Sequence, residues 1–368
     1  MKILRIITRL NIGGPALQAI SLTENLENSL LVIGTTLIGE QIIDVSLLEK
    51  INKNIILVGS LKREIGKHDY YAFKNIRAII KKSKPDILHT HMSKAGFLGR
   101  LAVLSIRKKN RPKIVHTFHG HTFHSYFGWF KSFIFRRIEI FLAKRGDAII
   151  AISKGQAEEL IDYGLPANKI RTILLGFDLE PFLKLKEFRY DSKRALRVGF
   201  VGRLAPIKNI ALFVEVVEEL KKHFKVELYI AGDGPEKEKL KPIEHEIIVQ
   251  QFFDRKNMVN FYDLVDIVIC TSKNEGTPVG LIEAMASGKL IFSTMVGGVK
   301  DLIGKGIRGR YIYPEMLNFS VQKLKEVLND GSYKDLIYDA RKYVERLYQI
   351  DKLVANINDL YRNLLNEK

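Results

Sequence analysis

Short apolar runs alternate with segments of helical length along most of this 368-residue chain. Apolar runs of strand length, each followed by a loop and a helical segment, predict parallel strands joined by helical crossovers. The candidate strands are residues 3–8, 30–37, 55–58, 86–89, 114–119 and 147–153, and then residues 197–201, 226–231, 246–251, 266–271 and 290–293. A charged stretch without apolar periodicity, residues 184–197, separates the two sets. The pattern therefore predicts two Rossmann-like, doubly wound α/β domains, which the chain length also favours.

The composition is typical of a globular protein, because 46% of the residues are apolar and 27% are charged. Cys270 is the only cysteine and lies in an apolar run, so we expect a core thiol in a reducing compartment. Arg5 and Arg9 interrupt the first apolar run, and nowhere do 18 apolar residues follow one another. We therefore expect neither a signal peptide nor a membrane span, and we predict a cytoplasmic protein.

The segment TSKNEGTPVGLIEAMASGKLIFSTMVGG, residues 271–298, combines two carboxylates with several glycines. It predicts the end of a strand, a turn, and a helix over residues 278–287, because Pro suits a first helical position and Thr277 can cap it. The amides of such a helix start favour an anionic group such as a diphosphate. Glu275 and Glu283 stand on either side of the turn, where each could bind a polyol. A helix with two solvated acids is the alternative, and the Gly and Pro positions argue against it.

The second domain opens with GFVGRLAPIKN, in which Arg203 and Lys208 follow the end of a strand. Fixed cations at this place suit a diphosphate, and they would stabilise its negative charge without a metal. In the first domain, Gly13 and Gly14 precede a helix predicted over residues 16–26, and they allow a phosphate or an acceptor to approach the backbone closely. Ordinary surface charges and an ordinary glycine turn are the alternatives for these two motifs.

Six of the nine histidines fall between His89 and His124. A metal site is the first interpretation, but the spacings are those of strand ends, no cysteine joins the histidines, and the sequence contains no Asp-x-Asp motif for a diphosphate-bound cation. We therefore expect no metal and no other cofactor. For His91 and His121, a structural role in the core is the alternative to a role in a site.

The stretch over residues 107–145 holds ten Lys and Arg residues against Glu139 alone, and it carries half of the net charge of +18. Aromatic residues are interleaved, among them the only tryptophan, Trp129, and the spacing predicts an amphipathic helix near residues 126–142. A basic, aromatic helix is typical of binding to an anionic membrane surface, with a core helix as the alternative. A nucleic-acid partner would also explain the basic excess, but the charge clusters with aromatic residues in one helix and no known binding module is present.

These motifs resemble the family 4 glycosyltransferases of the GT-B fold, most closely bacterial members that build surface polysaccharides. In that family, two glutamates separated by seven residues flank a Gly-x-Pro turn before an Ala-Met-Ala-x-Gly helix, and a Gly-Arg-Leu element precedes a Lys. The matching residues here are Glu275, Gly276, Pro278, Glu283, Ala284, Met285, Ala286, Gly288, Gly297 and Gly298, together with Gly202, Arg203, Leu204 and Lys208. The resemblance covers almost the whole chain and includes the sequences HTHMSKAGFLGRLA and VHTFHGHTF.

The resemblance implies two Rossmann-like domains that face an interdomain cleft. Residues 1–180 would bind the acceptor, residues 195–350 would bind the nucleotide-sugar donor, and a C-terminal helix, residues 351–368, would cross back to the first domain. Two positions depart from the family pattern. Leu175 stands where the family has Asn in an interdomain turn, and residues 250–254 replace a Gly-containing loop that meets the base. The base is therefore the least constrained part of the donor.

The resemblance also implies roles for single residues. Glu275 would contact hydroxyls of the donor sugar, and Glu283 would contact the ribose of the nucleotide. Arg203 and Lys208 would hold the pyrophosphate. His119, which a Gly follows, would touch the sugar or the charge that develops at its anomeric carbon. Further donor-binding candidates are Gly13, Gly14, Gly202, Gly276, Thr277, Pro278, Val279, Gly280 and Leu281, and weaker acceptor-binding candidates are His91, Ser93, Lys94 and His121.

The sequence therefore predicts a retaining, metal-independent glycosyltransferase. Its donor would be a nucleotide-diphosphate sugar, by preference a UDP-hexose or UDP-N-acetylhexosamine. Its acceptor would be a lipid-linked or membrane-bound glycan in surface polysaccharide biosynthesis. We expect a peripheral protein at the inner face of the cytoplasmic membrane, without a nucleic-acid partner. A sugar-nucleotide epimerase of the same fold and a catalytically silent partner subunit are the alternatives.

Overall fold

The computed structural model consists of two compact units, Met1–Phe177 with Ile350–Lys368 and Asp178–Gln349. The described residues are 1–10, 13–35, 48–119, 129–251 and 257–366, of which 129–132 and 251 are described by their backbone alone. No helix within these ranges combines the length and the apolar character that a membrane crossing requires.

The first unit is built around a parallel sheet. Its strands are β1 (Ile3–Ile7), β2 (Ser29–Ile33), β3 (Ile55–Leu57), β4 (Ile87–His91), β5 (Lys113–Phe118), β6 (Ala148–Ala151) and β7 (Ile170–Thr172). They lie in the order β3-β2-β1-β4-β5-β6-β7, and all neighbours are parallel. The crossovers contain α1 (Gly14–Asn25), α2 (His68–Ser83), α3 (Ser93–Leu104), α4 (Trp129–Arg145) and α5 (Lys154–Asp162), with 3-10 helices at Asn52–Asn54, Lys108–Asn110 and Ala167–Lys169.

The second unit repeats this architecture. Its strands are β8 (Leu196–Val201), β9 (Val226–Ala231), β10 (Ile247–Gln251), β11 (Ile267–Cys270), β12 (Leu290–Thr294) and β13 (Arg310–Ile312). The order is β10-β9-β8-β11-β12-β13, again with parallel neighbours. The helices are α6 (Glu180–Leu183), α7 (Ile210–Lys221), α8 (Met258–Leu264), α9 (Val279–Ala286), α10 (Val299–Ile303), α11 (Leu317–Asp330) and α12 (Tyr333–Leu347), with 3-10 helices at Pro206–Lys208, Lys237–Glu246 and Pro314–Met316. Two parallel, Rossmann-like sheets confirm the predicted fold class.

The last helix, α13 (Ile350–Asn366), belongs to the first unit. The Ile350 amide donates to the Phe177 carbonyl over 3.0 Å, which joins the start of the helix to the end of the first chain segment. Further along, the Tyr361 hydroxyl is fully buried and lies 2.6 Å from His89 Nδ1 of β4. The apolar face of α13 packs with α1 and the sheet in one hydrophobic cluster. The helix therefore completes the core of the first unit.

The central strands are buried on both faces, which explains why they read as continuous apolar runs. Every residue of β1 and β4 is buried. On one face of the first sheet, Leu4 and Leu88 pack in a cluster with Ile76 of α2 and Leu98 of α3. Ile3 faces the opposite cluster, which contains α1 and α13.

Several strand limits differ from those predicted. β7 and β13 were not predicted, because each has only three residues and lies at the edge of its sheet, where a long apolar run is not required. A strand was predicted over residues 30–37, but β2 ends at Ile33. Conversely, β4 continues past the predicted limit to His91, because β1 and β5 pair with it on both sides. The end of β4 has the polar sequence His-Thr-His, so a search for apolar runs did not include it.

Each sheet has one point where the direction of strand order reverses, between β1 and β4 in the first unit and between β8 and β11 in the second. Loops leave these two strands in opposite directions and open a crevice at their carboxyl ends, which is where doubly wound sheets bind ligands. In the first unit the loops lead to Gly13 and Ser93. In the second unit they lead to Gly202 and Glu275. We call these two reversals of strand order the first and the second switch point. The sequence-predicted site residues gather there.

Candidate functional site

The turn after β11 holds the Glu275 carboxylate in place through two side chains. Ser272 Oγ donates to Glu275 Oε1 over 2.6 Å, and Lys208 Nζ donates to the same oxygen over 2.5 Å. The Glu275 carbonyl also accepts from the Gly298 amide over 2.9 Å. Both ends of this residue are therefore fixed before any ligand arrives, which is the condition for a preorganised site.

Lys208 lies at the end of the 3-10 helix that follows β8. Thr271 Oγ1 donates to the Lys208 carbonyl over 2.9 Å, and the Lys273 amide donates to the Ile207 carbonyl over 2.8 Å, so the loops after β8 and β11 are joined. Burial lowers the pKa of Lys208, but the Glu275 carboxylate outweighs it and the pKa is raised overall. Lys208 is therefore a cation at neutral pH. Its side chain is 23% exposed.

The sequence did not predict that Lys208 and Glu275 form an ion pair. Each was assigned a contact of its own, the pyrophosphate for one and the donor sugar for the other. The pair forms because the switch point brings the two loops together, although 67 residues separate the partners along the chain. Ser272, which completes the arrangement, was also missed as a site residue, although its position at the predicted strand end was a usable signal.

Glycines allow the backbones around Glu275 to touch. At Gly297, φ is +41°, and a Cβ atom would lie 2.0 Å from the Glu275 carbonyl oxygen. A Cβ at Gly298 would lie 1.8 Å from the Gly276 carbonyl oxygen. At Gly202, where φ is +135°, it would meet Lys208 Cε at 3.1 Å. Larger residues at these positions would displace the ion pair or its supports.

Helix α9 starts one residue later than predicted. Pro278 is the N-cap rather than the first helical residue, so the N-cap position falls on Pro278 and not on Thr277 as predicted. The Leu281 and Ile282 amides both donate to the Pro278 carbonyl. The amides of Val279 and of the residue after it thus precede the first amides bonded within the helix, and they are the ones a helix start offers to an anion.

Glu283 lies on α9 and is only 3% exposed. The Tyr262 hydroxyl, on α8, lies 3.2 Å from Glu283 Oε2 and 2.8 Å from the Gly280 carbonyl oxygen. A Cβ at Gly280 would meet Val201 Cγ1 at 3.0 Å, so α9 packs tightly against the end of β8. Tyr262 therefore orients Glu283, and no pattern in the sequence indicated this role, because only the tertiary fold brings α8 to α9.

Two other predictions for this switch point have different outcomes. Arg203 follows the end of β8 as predicted and is exposed, in contrast to the paired Lys208. Cys270 is half-buried rather than a core thiol, and its sulfur lies 3.4 Å from Ser272 Oγ. It sits at the end of β11, where the core gives way to the loop.

In the first unit, the ends of β4 and β5 carry a set of buried histidines. His91 Nδ1 lies 2.9 Å from His119 Nε2. His89 contacts the Tyr361 hydroxyl and Thr117 Oγ1 at 2.6 and 2.7 Å. Further along, His116 Nδ1 lies 2.8 Å from Thr90 Oγ1. At least one nitrogen of each ring is used in a protein hydrogen bond. No group of metal-ligating side chains suited to a metal ion occurs in the part of the chain that the structure describes.

These histidines are neutral at physiological pH. Burial is the main cause, and it lowers the pKa of His119 to about 3. For His89, burial comes first and the nearby Arg5 guanidinium lowers the pKa further. For His91, burial lowers the pKa most, followed by the neighbouring His89 and His119. Burial and the Arg100 guanidinium act in the same way on His116. The first switch point is therefore polar but uncharged at its histidines.

The remaining candidates of the first unit are placed as follows. Gly13 is the N-cap of α1, with φ of +154°, and Gly14 is the first helical residue, two residues before the predicted start. Ser93 begins α3. Lys94 forms an ion pair with Asp69 at 2.5 Å. His121 lies outside the described residues, and so do residues 252–254 of the loop that differs from the family pattern.

Helix α4 exposes apolar side chains to solvent. Phe133, Ile134 and Phe141 are 50%, 42% and 45% exposed, so the core-helix alternative is wrong for these residues. The Arg145 guanidinium lies 3.7 Å above the ring of Phe141. Glu139, the lone acid of this stretch, points inward. It forms a buried ion pair with Arg100 at 2.7 Å, which leaves the exposed face of α4 basic and aromatic.

Two protein-family models match the chain. The model described as Glycosyltransferase Family 4 matches residues 45–181, and the model described as Glycosyl transferases group 1 matches residues 186–343. Together they span most of the chain, and they meet near the boundary between the two compact units.

Curated relatives and solved structures also cover most of the chain. The UDP-Gal:alpha-D-GlcNAc-diphosphoundecaprenol alpha-1,3-galactosyltransferase of Escherichia coli is 28% identical over 86% of this chain and 83% of its own length. The capsular polysaccharide biosynthesis glycosyltransferase CapM of Staphylococcus aureus is 22% identical over 82% of this chain and 84% of its own. The structure of HepE from Anabaena in complex with UDP superposes with a TM-score of 0.77 at 18% identity, over 99% of this chain and 100% of that chain. This last likeness concerns the fold.

Proposed function

The chain belongs to the family 4 glycosyltransferases of the GT-B fold, and on this basis we propose that it transfers a hexose or an N-acetylhexosamine from a UDP-sugar to a lipid-linked glycan. The Escherichia coli relative supports both substrates, because its name gives a UDP-galactose donor and a diphosphoundecaprenol-linked acceptor. CapM is named for capsular polysaccharide biosynthesis, which supports a role in building a surface polysaccharide.

The ion pair between Lys208 and Glu275 is the observation that carries this proposal. A nucleotide sugar has a diphosphate beside a polyol, so it needs a cation and a hydroxyl acceptor next to each other. Lys208 supplies the cation and Glu275 supplies the carboxylate, 2.5 Å apart and both partly exposed. Four residues further on, the start of α9 adds backbone donors for the phosphates. Glu283, oriented by Tyr262, is the proposed partner of the ribose hydroxyls.

The proposed reaction proceeds with retention and without a metal. The bond from the anomeric carbon to the leaving diphosphate oxygen breaks as the acceptor hydroxyl oxygen bonds to the same face of that carbon. The hydroxyl proton passes to the departing phosphate oxygen, so no enzymic nucleophile is required. Lys208, Arg203 and the amides at the start of α9 would stabilise the charge on the leaving diphosphate. Retention is supported by the alpha product in the name of the Escherichia coli relative, because UDP-galactose is itself an α-glycoside.

For the first unit, we propose that His119 contacts the transferred sugar and that the acceptor binds near the ends of β4 and β5. His119 follows β5 directly, and its neutral ring can donate or accept a hydrogen bond without the cost of a buried charge. Ser93 stays a candidate for the acceptor, since it begins α3 at the same switch point. Gly13 and Gly14 stay candidates for the donor diphosphate.

We propose that the exposed face of α4 docks on an anionic membrane surface, where a lipid-linked acceptor would be found. Phe133 and Phe141 offer rings to the headgroup layer, and Arg137 and Arg145 lie over those rings. Phe141 and Arg145 also line a cavity of about 510 Å³ in the first unit. Each basic residue near an anionic surface contributes about 1 kcal/mol.

The test is UDP or GDP release from a panel of UDP- and GDP-sugars, with and without a polyprenyl-diphosphate-linked N-acetylglucosamine acceptor. We expect one UDP-sugar to be consumed in the presence of EDTA, and NMR of the product to show an α linkage. Glu275→Ala and Lys208→Ala should each slow release by a factor of about 100 to 1,000. Glu238→Ala is the matched control, because Glu238 forms an ion pair with Lys241 on the surface at 2.6 Å. The proposed function would be contradicted if no donor released its nucleotide and no donor raised the melting temperature.

A further inference from the structure

The bond between His91 and His119 leaves one free nitrogen on each ring. The bonded atoms are His91 Nδ1 and His119 Nε2, 2.9 Å apart. The other two, His91 Nε2 and His119 Nδ1, are buried, and neither has a hydrogen-bond partner among the described residues. His119 can therefore meet a ligand through Nδ1 only.

The protons of the two rings are coupled. A neutral imidazole carries one N–H, and the bond between the rings uses one proton from one of them. If His91 Nδ1–H donates, His91 Nε2 is bare and His119 must carry its proton on Nδ1. If His119 Nε2–H donates instead, His119 Nδ1 is bare and His91 carries an N–H on Nε2. The pair thus presents a donor at one end and an acceptor at the other.

Burial decides between these two states. His91 is 0% exposed, so an N–H on its Nε2 would stay unpaired whether or not a ligand is bound. Orphaned buried N–H groups are rarer and more costly than under-used acceptors. His119 Nδ1 is buried as well, but His119 is partly exposed as a residue and directly follows β5. Of the two free nitrogens, it is therefore the one that lies at the carboxyl end of the sheet, where a ligand oxygen would pair with its N–H.

We propose that His91 is a positioning residue, which donates from Nδ1 to His119 Nε2 and so fixes His119 as the tautomer that offers Nδ1–H to an oxygen of the substrate. This inference rests on the proposed role of His119 at the transferred sugar. It assigns His119 a direction, since it donates a hydrogen bond rather than accepting one. The ligand group is therefore a hydroxyl, ring or leaving oxygen with a lone pair directed at His119.

The first experiment reads the tautomer directly. In the full chain labelled with 15N-histidine, long-range proton–nitrogen correlation distinguishes a protonated Nδ1 from a protonated Nε2. We expect a protonated Nδ1 for both His91 and His119, each assigned from the signal lost in its own variant. His91→Phe should convert His119 to a mixture of tautomers. A protonated Nε2 on His119 in the unmodified protein would overturn the proposal.

The second experiment uses kinetics with matched variants. His91→Asn keeps an N–H near the place of Nδ1, whereas His91→Phe removes it. We expect His91→Phe to lower kcat about tenfold, the effect of one misdirected hydrogen bond, with little change in the donor KM, and we expect His91→Asn to restore most of the rate. His116→Phe is the control, because His116 is equally buried on β5 but bonds to Thr90.

The outcomes are separable from those of the proposed function. Equal losses in His91→Phe and His116→Phe, or no rescue by His91→Asn, would overturn the positioning role even if the protein is an active transferase. If no nucleotide sugar is consumed, the proposed function fails, and the tautomer measurement alone decides whether His91 controls His119.

Discussion

The two switch points share a topology and differ in charge. In the first unit, β4 ends at His91 and His119 follows β5, and burial keeps both histidines neutral. In the second unit, the loops that follow β8 and β11 carry Lys208 and Glu275, which form an ion pair at 2.5 Å. The comparison teaches that strand order decides where a site forms, and that burial and pairing decide whether it works with charges or with neutral hydrogen bonds.

The neutral switch point should make the first unit sensitive to acid. His89, His91, His116 and His119 have lowered pKa values in the folded state, whereas an unfolded histidine titrates near 6.5. Their full contribution to stability is present above pH 6.5 and is lost as the pH falls toward the folded values, about 3 for His119. Each histidine contributes up to about 1.4 kcal/mol per pH unit, or roughly 5 kcal/mol per unit for the four.

Hydrogen exchange with mass spectrometry at pH 7.5, 6.0 and 5.0 can follow the two units separately, after correction for the intrinsic exchange rates. We expect protection to fall first in peptides of the first unit. His116→Gln should reduce the slope by about a quarter. Equal acid sensitivity in both units would show that the histidines do not distinguish them.

The charged switch point should instead govern turnover. Glu275→Ala and Lys208→Ala should each lower kcat by a factor of about 100 to 1,000, or about 3–4 kcal/mol, because each removes a preorganised charge from the site. Steady-state kinetics with the identified donor provides the measurement. The double variant should lose much less than the sum of the two single losses, since both residues act as one unit. Fully additive losses would argue that the ion pair is incidental.

The next prediction concerns the close backbone contacts around Glu275. Gly298→Ala would place a methyl group 1.8 Å from the Gly276 carbonyl oxygen, so the turn must shift. We expect a loss of about 2 kcal/mol in the free energy of unfolding, together with reduced donor affinity. Urea unfolding and donor titration measure the two effects. Gly155→Ala in the first unit is the control, because no atom lies within 4 Å of the added carbon, and it should be neutral or slightly stabilising.

The smallest expected effect concerns the surface of α4. Arg137→Ala should weaken binding to vesicles that contain anionic lipid by about 1 kcal/mol, and added salt should reduce the difference. Lys342→Ala, an exposed cation of the second unit, should leave binding unchanged. Co-sedimentation with vesicles of phosphatidylglycerol and phosphatidylcholine makes the measurement. Equal effects of the two variants would show that net charge, rather than the face of α4, attracts the membrane.

Much of the fold was predictable because central parallel strands must be apolar on both faces. The predicted strand over residues 226–231 coincides with β9, and most other central strands agree within a few residues. Edge strands such as β13 escaped, since three residues at an edge need no apolar run. The end of β4 escaped because its His-Thr-His sequence is polar, although neighbouring strands bury it completely.

The site divides in the same way. The spacing of Glu275 and Glu283, the glycines around them and the cations after β8 are local patterns, so the sequence by itself determined the class of fold, the family and the segments of the candidate site. The ion pair between Lys208 and Glu275, the contact of Tyr262 with Glu283 and the bond between His91 and His119 join residues 21 to 67 positions apart. Only the tertiary structure decided these three contacts. Burial sets the charge of a side chain, and the order of strands in the sheet sets its partner. Neither can be read from the residues that are neighbours in the sequence.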